Sequence, residues 1–230
     1  MDPVLVLLPG MDGTGELFAP LVHALGPAVS TIVVRYPDEP LDYPEHERVA
    51  VAALPTVRPY VVLGESFSGP IAISIAARSP AGLLGCVLCA SFLRSPSPLL
   101  GLVRPLLGLL PPQNIPEALA VPFLMGRFAT PELRRARAEA LKHVSPETLV
   151  ARLREMASVD VTDEAQKIRV PALYLRATED RLVPRGAAAA FARFVAHGHI
   201  MDVEGPHFLL QANPVASARA VNEFMRGAVG

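Results

Sequence analysis

The hexapeptide Gly64-Glu65-Ser66-Phe67-Ser68-Gly69 joins an apolar run rich in Val and Leu to an apolar segment of helical type. A serine on such a strand-to-helix turn is lifted clear of the backbone, and its small neighbours let strand and helix approach closely. The helix N-terminus beneath it offers unpaired N–H groups and the positive end of a dipole. Pro70 falls in the first helical turn, where a missing N–H is harmless. Such a serine becomes a nucleophile when a base takes its proton and a third group orients the base.

Six histidines compete for the role of base. His23 and His46 fall in helical segments and His143 in the long stretch between strands, so all three read as surface or capping residues. His197 and His199 share strand spacing and hence a face, but no carboxylate or thiolate ligands accompany them and no metal is expected. His207 follows the last apolar run on a Gly205-Pro206 turn, the placement a base needs. Asp180, directly after PALYLRA, is the orienting acid; its neighbour Glu179 is a weaker candidate, and Asp202 lies within a strand. The order Ser66, Asp180, His207 goes with the elbow motif. Oxyanion donors are expected from the backbone N–H groups of Phe67 and of Met11, in the Gly10-Met11-Asp12-Gly13 loop. The same loop begins like a phosphate-binding G-x-x-x-x-G, yet Glu16 stands where lysine is required and no Ser or Thr follows.

These residues must be carried by strand ends. Apolar runs at 4–10, 30–38, 60–66, 83–91, 170–180 and 197–205 alternate with helical segments. The pattern implies an α/β fold: a doubly wound, mostly parallel sheet of about six strands with helices on both faces. In such sheets the ligand site lies beyond the carboxyl ends of the strands, and Met11, Ser66, Asp180 and His207 sit there. From 92 to 166 no strand is expected, and the stretch reads as a helical cap inserted into a core formed by 1–91 and 167–230. Cys86 and Cys89, three apart on one strand, point to opposite faces and read as two small core residues.

Composition closes off other classes. Of 230 residues, 21 are basic and 22 acidic, so no global field draws nucleic acid or an anionic membrane. The N-terminal apolar run lacks a basic region before it and ends at Pro9-Gly10, and the leucine-rich stretch 99–112 is broken by Arg104 and Pro105. A cytoplasmic protein without a membrane span is the expectation.

With these motifs in place, LLPGMDGTG (7–15), LGESFSG (63–69), RATEDRLVP (176–184) and EGPHFLLQANP (204–214), the chain resembles the α/β-hydrolase superfamily over nearly its whole length apart from the cap. The resemblance implies Ser66 as nucleophile, His207 as base, Asp180 as acid, Met11 and Phe67 as oxyanion donors, and no cofactor. Two departures stand out. Pro9 replaces the histidine of the family's His-Gly pair, and Ser68 replaces the elbow's second glycine, a change expected to be tolerable if the helix stands slightly off the strand.

The implied reaction is hydrolysis of a small-molecule ester of an apolar acyl group through an acyl-enzyme. The same triad serves thioesterases, acyltransferases and carrier-protein methyl esterases, and a non-catalytic binding protein on this fold is the rival of another class. Leucines at 99–110, Leu106 among them, with Phe123, Leu124 and Met125, either line an acyl pocket or pack cap on core. Arg134, Arg135, Arg137, Lys142, Arg152 and Arg154 read as a solvated face, or as a docking surface for an acidic acyl carrier protein or coenzyme A phosphates. The latter follows the general plan of the methyl esterases of biotin synthesis, which the chain resembles.

Overall fold

The computed structural model describes residues 2–96 and 115–229. Among them, six strands form one all-parallel sheet: β1 (Val4–Leu8), β2 (Thr31–Val33), β3 (Tyr60–Glu65), β4 (Leu83–Cys89), β5 (Ala172–Ala177) and β6 (Gly198–Val203), in the order β2-β1-β3-β4-β5-β6. The two-residue period of the strands sorts their side chains into two cores. Val4, Val6 and Leu8 of β1, Val62 of β3, Leu88 of β4 and Tyr174 of β5 face one way. Leu5, Leu7, Val61, Leu63, Val87, Leu173 and Leu175 face the other. Both faces are buried, which is why these strands are continuously apolar in sequence.

The first face is covered by α2 (Tyr43–Ala52), α3 (Gly69–Arg78) and α8 (Gly186–Phe194), through residues such as Ala50, Ile71, Ile75 and Phe191. The second is covered by α1 (Ala19–Leu25) and α9 (Pro214–Val229), through Leu21, Leu25, Val221 and Met225. Cys86 and Cys89 fall in opposite cores and are free. Burial pushes the Cys86 thiol up to about 12, so it is inert at neutral pH.

The strand expected over 30–38 is three residues long. Val34 still donates to Leu7, but Tyr36 donates instead to Gly13 at 2.8 Å, so the chain leaves the ladder and crosses behind the loop after β1. The sheet order reverses between β2 and β3, on either side of β1, which opens a crevice at the carboxyl ends of β1 and β3.

Between β4 and β5 the described residues form helices: α4 (Glu117–Leu124), α5 (Pro131–Lys142), α6 (Pro146–Ser158) and α7 (Thr162–Ala165). The starts of α5 and α6 are written in sequence. Thr130-Pro131 and Ser145-Pro146 each put a hydroxyl cap before a proline, and the caps accept from Leu133 N and Thr148 N. Ser145 is in turn fixed to Asp38 through its N–H and hydroxyl, both at 2.8 Å, which ties α6 to the segment after β2.

Candidate active site

Ser66 follows β3 directly with φ 47°, a left-handed conformation that costs a non-glycine residue about 1–3 kcal/mol. Its neighbours permit the turn. A Cβ on Gly64 would collide with the Ser68 carbonyl, and one on Gly69 with the Ser91 hydroxyl, so strand and helix meet at contact distance. The elbow is held from outside as well. Ser91 Oγ donates to the Ser66 carbonyl at 2.5 Å, and Tyr43, stacked on Phe67 at 4.8 Å, donates its hydroxyl to the Phe67 carbonyl.

Ser68 has a definite task at this joint. Its hydroxyl is fully buried and donates to the Pro9 carbonyl at 2.5 Å, which leaves Tyr36 OH as the donor in their 2.8 Å contact. The expected slack between helix and strand is absent: the close approach at Gly64 is kept, and the extra hydroxyl is used as a strut to the loop after β1.

Ser66 Oγ lies 2.9 Å from His207 Nε2, and His207 Nδ1 lies 3.0 Å from Asp180 Oδ2. The carboxylate can only accept, so the imidazole proton sits on Nδ1 and Nε2 presents its lone pair to the serine hydroxyl. Asp180 Oδ1 accepts from the N–H groups of Leu182 and Val183 at 2.8 and 2.9 Å. Beyond the named ends of β5 and β6, Thr178 N and Glu179 N continue the pairing to Val203 and Gly205 carbonyls, which brings Asp180 beside the His207 turn. The alternative acid Glu179 points elsewhere, at Arg127, and Asp202 pairs with Arg176 on the neighbouring strand.

The loop after β1 is fixed on its far side by Arg152 of α6. This guanidinium is 1% exposed and donates to three carbonyls, Met11 at 3.0 Å, Asp12 at 2.8 Å and Pro37 at 3.0 Å. Its Nε meets His46 Nε2 at 3.3 Å, and His46 donates from Nδ1 to the Asp42 carbonyl. Burial holds the His46 imidazole down to about 4, so it stays neutral and free to accept. Both residues correct the sequence reading: Arg152 belongs to no surface cluster, and His46 is buried in the core. The signal for Arg152 was its register with Leu149 and Met156 on the inward side of α6. The Gly10 carbonyl accepts from Gly13 N at 3.0 Å, and Met11 N–H donates to no group among the described residues.

Ser66, His207, Gly10 and Met11 share a cavity of about 140 Å³. Its walls are mostly apolar: Leu17, Leu124, Leu141, Leu149, Met156, Leu182 and Phe208, with Arg137, Asp12, Glu65 and Gln211 as the polar members. A larger and more polar cavity of about 280 Å³ lies beside Asp180, Arg176 and Asp202 and reaches neither Ser66 nor His207. Glu65 is buried, accepts from Gln211 Nε2 at 2.9 Å, and is pushed up to about 7 by burial. It thus connects β3 to the segment after His207.

Other expected residues fall differently. Phe123 is 51% exposed because Val121 and Leu124 occupy the inward side of α4; Met125 is buried against Val121 and Leu133, off the cavity. Leu106 lies outside the described residues. His23 and His143 are exposed, as are His197 and His199, and no metal-binding group of His, Cys, Asp or Glu exists among the described residues. In the basic stretch, Arg134, Arg135 and Lys142 pair with Glu117, Glu132 and Glu139. No helix among the described residues is long and apolar enough to cross a membrane.

The comparisons agree with this architecture. The chain is similar to the enol-lactonase from Burkholderia xenovorans LB400, with a TM-score of 0.84 and 18% identity over 98% of this chain and 92% of that one. It is similar to an esterase from Thermogutta terrifontis, with a TM-score of 0.83 and 20% identity over 99% and 90%. At these identities the likeness shows the fold. In sequence it is 29% identical to a pimeloyl-[acyl-carrier protein] methyl ester esterase of Xanthomonas axonopodis pv. citri, over 94% of this chain and 93% of the relative. It is 34% identical over 142 residues to phytyl ester synthase 1, chloroplastic, of Arabidopsis thaliana, a match spanning 54% of this chain but only 19% of that longer protein. The family model described as serine aminopeptidase, S33, matches residues 42–203, and the chain therefore belongs to this family of α/β-hydrolases.

Proposed function

We propose that the chain hydrolyses carboxylic esters of apolar acyl groups through a covalent acyl-Ser66 intermediate. The observation that carries this reading is the continuous relay Ser66–His207–Asp180 at one end of an apolar cavity. His207 Nε2 takes the proton as Ser66 Oγ bonds to the ester carbonyl carbon, and Asp180 holds the imidazolium that results. The carbonyl oxygen becomes an oxyanion received by the N–H groups of Met11 and Phe67. Return of the proton from His207 expels the alcohol. Water then attacks the acyl-enzyme by the same route and releases the acid. The reaction as written calls on neither metal nor organic cofactor.

Segment 92–166 serves in this reading as a cap. Leu124, Leu141, Leu149 and Met156, all from its helices, wall the cavity opposite the sheet. Hydrolysis of a panel of esters and thioesters of graded acyl length, with Ser66→Ala as control, tests the reading. Cleavage that peaks at an intermediate apolar chain and falls by at least about three orders of magnitude in Ser66→Ala is expected. Full activity in a folded Ser66→Ala enzyme contradicts it.

A second reading is favoured by the near full-length similarity to a carrier-protein methyl ester esterase. In it the ester is borne by an acidic carrier protein docked near exposed Arg134 and Arg154, and the surface pairing of Arg134 with Glu117 is weak enough to exchange. Reversal of the Arg134 and Arg154 charges would then raise KM for a carrier-linked ester and leave KM for a free ester where it was. The partial similarity to a phytyl ester synthase supports acyl transfer to an alcohol as a variant of the second step.

A further inference from the structure

The side of α5 turned toward the core carries Leu133, Arg137, Ala140 and Leu141, the spacing of a helix packed along one stripe. Three of these positions are apolar, and one is a guanidinium. The other cations of the helix lie off the stripe, and each is paired: Arg134 with Glu117 at 3.7 Å, Arg135 with Glu132 at 4.0 Å, Lys142 with Glu139 at 2.7 Å. Arg137 makes no hydrogen bond or ion pair among the described residues; the carboxylate that acts on it at longer range, Glu117, is engaged by Arg134. Residues 97–114 contain no acid that would serve as its partner.

Arg137 lines the cavity that holds Ser66 and His207, among Leu124, Leu141, Leu149 and Met156. Partial burial disfavours its charge, a penalty that a bound anion removes. The acids of the same cavity do not fill that role. Asp12 is committed to the N–H and hydroxyl of Thr14, and Glu65 to Gln211. A planar guanidinium set in an apolar wall is matched by a carboxylate at the end of an aliphatic chain, which it can take with two parallel hydrogen bonds.

We infer that Arg137 forms an anion-recognition subsite of the active cavity, and that the preferred substrate is an ester whose apolar acyl chain ends in a free carboxylate. The inference rests on the reading of Ser66 as nucleophile and names the substrate class for that site. One end of the acyl chain meets Ser66 and the other meets Arg137, with the leucines between. A substrate of this kind is the half-ester of a dicarboxylic acid, and its hydrolysis yields the free diacid and an alcohol.

The test compares monomethyl esters of straight-chain dicarboxylic acids of graded length with methyl esters of monocarboxylic acids of equal length, on the full chain. The best diacid ester is expected to exceed its neutral counterpart by about tenfold in kcat/KM, mainly through KM, as befits one charge-assisted contact. Arg137→Gln is expected to collapse that ratio, and Arg137→Lys to retain part of it. A wild-type enzyme that prefers the neutral ester at every length, or an Arg137→Gln variant that weakens both esters equally, overturns the inference. Should Arg137→Gln not fold, the wild-type ester pairs and competitive inhibition by dicarboxylates over monocarboxylates decide the matter. Cleavage of neutral esters with no preference for charge removes only the subsite; absence of any ester cleavage removes the hydrolase reading as well.

Discussion

Arg152 and Met11 stand 141 residues apart in sequence and are joined by a hydrogen bond of 3.0 Å, from a buried guanidinium on α6 to the carbonyl of the loop after β1. The same side chain holds Asp12 and Pro37, so a single cation from the helical segment fixes the loop proposed to supply an oxyanion donor. Arg152→Met removes the donor and leaves three carbonyls to find other partners, each at a cost of about 1–3 kcal/mol where water cannot reach. Denaturation should show a loss of about 3 kcal/mol or more, and kcat should fall by about tenfold to a hundredfold with KM little changed. An unchanged kcat in the folded variant would show that the loop keeps its place without the clamp.

Ser68 links the elbow to Pro9 and Tyr36. Ser68→Gly restores the small residue common in the motif but strands a buried carbonyl and a buried phenol. The expected loss of stability is about 1–3 kcal/mol, with kcat/KM retained within about tenfold. In a double-mutant cycle, Tyr36→Phe should cost less in the Ser68→Gly background than in the wild type. Additive effects would mean that the two hydroxyls do not interact.

Glu65 makes stability depend on pH in a definite direction. Burial raises its folded value to about 7 from an ordinary 4.5, so between these values the folded state holds more protons than the unfolded state. Stability contributed by the protonated carboxyl is full below about pH 4.5 and is lost as pH rises through about 7. Glu65→Gln keeps the shape and abolishes the titration. Relative to wild type, it should gain up to about 3 kcal/mol between acid and mildly alkaline pH, as read by denaturant midpoints across that range. A constant difference between the two proteins would place the carboxyl in a solvated setting.

Strain at Ser66 gives a separate signature. Glycine adopts φ near 47° freely, whereas alanine does not. Ser66→Gly should therefore be more stable than Ser66→Ala by about 1 kcal/mol, with both inactive. Thermal unfolding of the two variants measures the difference, and equal stability would argue that the turn is unstrained.

Much of this arrangement was legible in the residues alone, because parallel strands buried on both faces must be continuously apolar and their carboxyl ends must carry the polar chemistry. The juxtaposition of Ser66, Asp180 and His207 follows from that rule. What escaped were contacts decided by distant packing. Arg152 sits in an Arg-rich helix and resembles its exposed neighbours until the three carbonyls that receive it are seen. His46, with helical spacing on a charged segment, is buried only because Tyr36, Phe67 and Arg152 close over it. Phe123, Leu124 and Met125 read alike as pocket-lining or cap-packing residues, yet the helical period turns Phe123 outward and leaves Leu124 alone of the three at the cavity. Ser68 looked like a blemish in a motif, since its partners lie in loops that local pattern does not place.

In the proposed mechanism Ser66, activated by His207, is the nucleophile. Reaction with a fluorophosphonate probe, followed by peptide mass mapping, tests it directly. The expected result is a single adduct on Ser66, absent in Ser66→Ala and strongly slowed in His207→Gln. An adduct on Ser68, or labelling that survives Ser66→Ala, would contradict the assignment.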